Sequence, residues 1–311
     1  MKKIYYITAV FATLFLVGCG DGIDLPGVNV ETDLNKIPLP DNNVNLEQVE
    51  LKPSTEPMLH EGLHTEEDFQ RIRDKKAAGE EPWVSAYQLL VESQFSQKTA
   101  DTYPTEWIKR GISGDENYMN AARGATIVYQ QALRWKIEQD DEYAAKAVEN
   151  LNKWVQTCVG VTGNTNLSLA AGLYGYEFAI AGELLRDYGG WDRADFAAFQ
   201  NWLLKVFYPA NDDFLKRHHD TNALHYWANW CLCNIAAKMA IGIVTDRRDI
   251  YNEGIAHLQT GDTNGRLRRA IYHDYAPDYN FAQWQESGRD QGHTLMCVGL
   301  MGVICQLAWS Q

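Results

Sequence analysis

Between Phe214 and His293 the chain carries six of its eight histidines: His218, His219, His225, His257, His273 and His293. The same stretch holds nine basic and nine acidic residues, so the remainder bears the whole formal charge of −13. Histidines and arginines gathered in an acidic protein point to a pocket that handles anions. Two basic clusters stand inside it, Lys216-Arg217-His218-His219 and Arg266-Leu267-Arg268-Arg269 with His273. Taken alone, such clusters are equally well read as solvated surface charge.

Three strings carry the residue types for proton transfer and sugar recognition. Asn222-Ala223-Leu224-His225-Tyr226-Trp227-Ala228-Asn229-Trp230 follows a polar loop and is expected to open a helix, with Thr221 or Asn222 near the N-cap. Its rings offer stacking faces for a sugar, although some must serve core packing. Arg268-Arg269-Ala270-Ile271-Tyr272-His273-Asp274-Tyr275 combines a charge clamp with a phenol that can move a proton. The run from Gln283 to Thr294 is densely polar and leads into an apolar helix. Groups so crowded must pair with one another or with a ligand. Glu286 with Arg289, and Asp290 with His293, have the spacing for internal pairs.

The elements that must position these strings are helical. Apolar residues recur at three and four from Tyr118 to Ile137, and Asp140 or Asp141 caps the next run, from Tyr143 to Val155. Further runs span Leu167–Leu185, Ala194–Val206, Leu224–Val244, Ile250–Leu258 and Gln291–Trp309. Before them, Thr65-Glu66-Glu67-Asp68 has the form of an N-cap with an acidic first turn, and Pro82 opens a helix at Trp83. No alternating strand is evident. Paired helices with short connections fit an all-α fold, an α/α toroid or an irregular bundle.

With 311 residues, 45% of them apolar, and a pI near 5.0, the chain has ample material for a core and no concentrated basic face for nucleic acid. Met1–Lys3 is basic, Ile4–Val17 is largely apolar and Leu16-Val17-Gly18-Cys19 follows, which reads as a secretory signal. That last string resembles the bacterial lipobox, in which the cysteine is lipidated. The expected division is a lipoprotein signal over 1–18, a flexible tether over 19–56 and a helical domain over 57–311. The other five cysteines are expected to be small buried residues, without a metal. The abrupt finish after the apolar run ending at Trp309 is expected of a shortened version of a longer chain.

The three strings together resemble the alginate-lyase-domain family of polysaccharide lyases. Tyr226-Trp227-Ala228-Asn229-Trp230 and Glu286-Ser287-Gly288-Arg289-Asp290-Gln291-Gly292-His293 carry most of the likeness. The run from Leu59 to Phe69, with the lipobox, resembles the family's surface-anchored branch from polysaccharide-utilisation systems. The resemblance implies an α/α toroid that cleaves uronic-acid polysaccharides by β-elimination, with no cofactor and as a monomer. It implies an outer-membrane lipoprotein, periplasmic or at the cell surface, held to lipid through Cys19.

Carried over, the catalytic set is Asn222, His225, Arg269 and Tyr275. The substrate-binding set is Tyr226, Trp227, Arg268, His273, Glu286, Arg289 and His293. Better-known members have the asparagine and histidine adjacent, whereas Ala223 and Leu224 intervene here, and the spacing to Tyr275 fits Arg268 as well as Arg269. A glycoside hydrolase on a similar fold and a non-catalytic glycan-binding lipoprotein are the rival expectations.

Overall fold

The structure, a computed structural model, describes residues 53–275 and 282–311. Helix starts follow local chemistry. In α1 (Glu66–Ala77) the Thr65 hydroxyl accepts from the Asp68 N–H while the Asp68 carboxylate accepts from the Thr65 N–H, a reciprocal capping box. Next come α2 (Trp83–Glu92), with Pro82 at its N-cap, a short β1 (Trp107–Arg110) and α3 (Tyr118–Glu138). Asp140 caps α4 (Asp141–Thr157) by accepting from the Glu142 N–H. Then follow β2 (Gly160–Gly163), α5 (Leu167–Leu184), α6 (Arg193–Val206) and α7 (Tyr208–Arg217). The chain continues through α8 (Ala228–Val244), α9 (Arg248–Thr260), the single turn α10 (Leu267–Ala270), β3 (Ile271–Asp274), β4 (Ala282–Trp284) and α11 (Gln291–Trp309).

Three expectations need correction. The helix expected from Leu224 begins only at Ala228. A helix absent from the sequence reading, α7, fills the stretch before the polar loop. Among the described residues four short strands form a parallel pair β1–β2 and an antiparallel pair β3–β4. Each is three or four residues long, too short to show alternation, and their pairing is decided by the helices they connect.

The helices stand in two layers. α3, α5, α8 and α11 pack side by side in that order, while α4 covers α3, α7 lies against α5 and α8, α6 bridges α4 and α7, and α9 covers α8. α5 and α8 run parallel. Near their starts the Asn234 amide donates to the Ser168 carbonyl (3.2 Å), and at their ends Arg186 donates to the Val244 carbonyl (3.0 Å). Small residues permit the close approach: a Cβ on Gly172 would lie 2.5 Å from the Cys233 sulfur. One apolar cluster runs through both layers from Met58 to Leu307, with Trp154, Phe178, Phe199 and Phe207 wholly buried.

The far ends of the inner helices form a base. There Arg186 is buried between Glu183 (2.8 Å) and Asp246 (3.2 Å). The start of the described chain is pinned to it. Asn252 donates to the Ser54 carbonyl, Arg248 to the Glu56 and Pro57 carbonyls, and Gln311 clasps Leu59 in both directions. Residues 54–56, expected within the tether, are thus fastened to the fold. Cys158, Cys231, Cys233 and Cys297 are buried and free, but Cys305 is exposed, against expectation.

Candidate functional site

The starts of the inner helices lie on the face opposite the base, and the three polar strings meet there. α8 has Trp227 at its N-cap, a residue with no side-chain oxygen to satisfy the first helical N–H groups. Gln285 and Glu286 supply what is missing: the Gln285 side-chain oxygen accepts from the Ala228 N–H (2.8 Å) and the Glu286 carboxylate from the Asn229 N–H (3.3 Å). The Gln285 N–H in turn donates to the Ala270 carbonyl (3.0 Å), at the foot of the β3–β4 hairpin. The Asn264 amide donates to the carbonyls of Leu224 (3.0 Å) and Tyr226 (2.8 Å). Residues 222–230, 264–275 and 283–294 are therefore one knot around one helix end.

Within the first string Asn222 is exposed and sits six residues before the helix rather than at its cap. Its side-chain oxygen accepts from the Leu224 N–H (2.8 Å), forming a local turn that competes with helix. His225 is exposed, with its ring 4.9 Å from that of Tyr226. Trp227 is 46% exposed. Tyr226, expected to lie on a sugar face, is instead 9% exposed and packed against Phe214 (5.2 Å) and Trp230 (4.6 Å).

In the second string Arg268 is exposed, while Arg269 is half-buried and donates to the Asp262 carbonyl. The His273 and Tyr275 rings meet edge to face at 4.5 Å, and the Tyr275 hydroxyl donates to the Gln283 side-chain oxygen at 3.1 Å. In the third, the expected internal pairs form, Arg289 with Glu286 (3.0 Å) and His293 with Asp290 (2.6 Å). Glu286 departs from its assignment to substrate. It is 1% exposed, its carboxylate is taken up by Arg289 and the start of α8, and it braces the site from beneath. The Lys216-Arg217 cluster is likewise neutralised, by Asp212, Asp213 and Asp220. Cys19 lies outside the described residues.

The face also holds groups that the sequence reading left without a role. The His219 ring is 3.0 Å from the Ser168 hydroxyl at the start of α5. His218, His219 and Asp220 are three successive non-glycine residues in left-handed backbone (φ 48°, 54° and 59°), held by two hydrogen bonds from Thr221 to the His218 carbonyl. Each such residue costs free energy, and strain of this kind gathers at binding sites. Burial against Phe214 and Cys231, with His219 alongside, pushes the His218 pKa below its usual value.

Arg110, at the end of β1, lies over the Tyr118 ring (4.6 Å) and makes no ion pair among the described residues. No motif marks Arg110; only the β1–β2 pairing brings it to this face. Gly163, its partner across the pair, has φ 145°, and a Cβ there would fall 1.8 Å from the Arg110 carbonyl oxygen. Among the described residues no group of three or more His, Cys, Asp or Glu is arranged to hold a metal ion.

Comparison with protein families matches residues 72–308 to the model described as alginate lyase. Comparison with curated proteins and with solved structures finds no match.

Proposed function

The chain belongs to the alginate lyase family, and from that premise we propose that it cleaves a uronic-acid polysaccharide, alginate or a related polyuronate, by β-elimination. The proton on C5 of a 4-linked uronate is acidic only when the neighbouring carboxylate is neutralised. Arg269 or Arg268, with the Asn222 amide, performs that neutralisation and stabilises the enolate-like intermediate. His225 or Tyr275 takes the C5 proton. The electron pair then forms the C4–C5 double bond, the C4–oxygen bond breaks and the Tyr275 hydroxyl returns a proton to the departing oxygen. Trp227 offers its open face to the sugar ring, while Arg289 and His293 hold flanking carboxylates or steady the loop. The starts of the inner helices add positive dipole ends to the same face, which favours a polyanion.

The observation that carries this reading is the knot at the start of α8. Asn264, Gln285 and Glu286 tie the Asn222–His225 loop and the Arg269–Tyr275 hairpin to one helix end. Glycoside hydrolysis needs two available carboxylates flanking a bond, whereas Glu286 is buried and Asp290 is paired with His293. Incubation with alginate, glucuronan and glycosaminoglycans, followed by ultraviolet absorbance of the conjugated uronate end, tests the proposal. Lysis raises absorbance; reducing ends without absorbance would mean hydrolysis, and binding without product a glycan-binding protein. Anchoring to the outer membrane through a lipidated Cys19 belongs to the same proposal, checked by metabolic labelling with a fatty-acid probe and its loss in Cys19→Ala.

A further inference from the structure

Arg110, half-buried at the end of β1, makes no ion pair among the described residues. Its Nη1 is buried and has no hydrogen-bond partner among the described residues. Its charge is felt by the Tyr174 hydroxyl on α5 and by Cys233 on α8, which places the guanidinium among the first turns of α3, α5 and α8. Burial of an unpaired guanidinium donor is costly, and the Tyr118 ring offsets only part of the cost. The residue as a whole is only half-buried, and the rest of its planar fork is matched by a carboxylate.

We propose that Arg110 is a substrate-binding residue of this mouth, receiving the carboxylate of a uronate unit other than the one cleaved. The inference rests on the polyuronate reading and extends it to the opposite wall. Arg268 and Arg269 stand on α10, at the foot of the hairpin, whereas Arg110 stands at the start of α3, close to α5 and α8. A polymer crossing the face therefore meets one clamp on each side. The Tyr118 ring lies 4.6 Å from the guanidinium, and the β1–β2 pair fixes the backbone from which it projects.

The test uses the full chain carrying Tyr275→Phe, so that ligand survives, and calorimetric titration with a short oligouronate and with its carboxyl-reduced neutral counterpart. Arg110→Gln is expected to weaken the oligouronate at least tenfold and the neutral oligomer less than twofold. Arg110→Lys, which keeps the charge without the fork, falls between. Equal oligouronate affinity in all three proteins overturns the proposal, as does equal loss for both ligands. Should Arg110→Gln fail to fold, the lysine variant and the two ligands on the Tyr275→Phe protein still decide it: no preference for the charged oligomer overturns it. Failure of the lyase reading is distinguishable, because it shows as absent unsaturated product with an Arg110-dependent affinity intact. If the native enzyme cleaves polyuronate and Arg110→Gln leaves KM unchanged, the lyase reading stands and this inference falls.

Discussion

Tyr275 is the residue on which the proposed chemistry turns. Its hydroxyl is held by Gln283 beside the His273 ring, and loss of a positioned acid–base group costs about 10²–10⁴ in rate. Tyr275→Phe should therefore remove absorbance gain while circular dichroism stays that of the native protein; a rate within threefold of native takes Tyr275 out of the mechanism. Glu177 offers a second test, independent of catalysis. Burial on α5 pushes its carboxyl up to about 8, so the folded chain keeps a proton that the unfolded chain releases near the usual carboxylate value. The associated stability is present at acid pH and is lost as pH rises through about 8. Glu177→Gln removes that loss: it should melt above native at pH 8 and converge with it at pH 5, and melts that diverge in the opposite sense would contradict it.

Residue types at this scale were legible wherever they clustered, since Arg289, Asp290 and His293 pair as their spacing implies. Exposure was not. Tyr226 and Glu286 stand in polar or aromatic strings but face inward, because the helix end they serve lies beneath them. Arg110 and Ser168 stand in no string at all and reach the site only through packing.

At the scale of elements, period and caps located most helices within a few residues, Thr65 and Asp140 capping as expected. The failures share one cause. Asn222 and the aromatic residues after it extend the helical pattern of α8, but Asn264 and Gln285 satisfy that backbone from outside and delay the helix to Ala228. α7 carries Pro209 in its first turn and then a run of Asn and Asp that reads as loop, yet Asn211, Phe214 and Leu215 are buried against α5 and α8. Tertiary partners decided both. The tight α5–α8 contact gives a direct test. Gly172→Ala places a methyl 2.5 Å from the Cys233 sulfur and 2.9 Å from its backbone carbon. The overpacking should cost about 1–3 kcal/mol, seen as a lower melting temperature; unchanged stability would mean that the two helices separate freely.

For the whole molecule, an all-α fold was legible in the helical periods, but not the order in which the helices pack, which depends on contacts far apart in the chain. Lys238 shows what holds the layers together. It is wholly buried on α8 and pairs with Asp212 on α7 (2.7 Å) and Glu253 on α9 (2.5 Å). Lys238→Met leaves two partly buried carboxylates facing each other and should destabilise the fold by about 2–4 kcal/mol. Chemical denaturation measures this, and an unaffected midpoint would show the triad to be dispensable.

The clasp of Ser54, Glu56 and Pro57 by Arg248 and Asn252 lies at the base, while the polar knot lies at the other end of inner helices 17–21 residues long. At 1.5 Å per residue the two are about 25–30 Å apart. The polar knot thus faces away from the side on which residues 54–57 are clasped, and a long polymer reaching it meets none of that clasp.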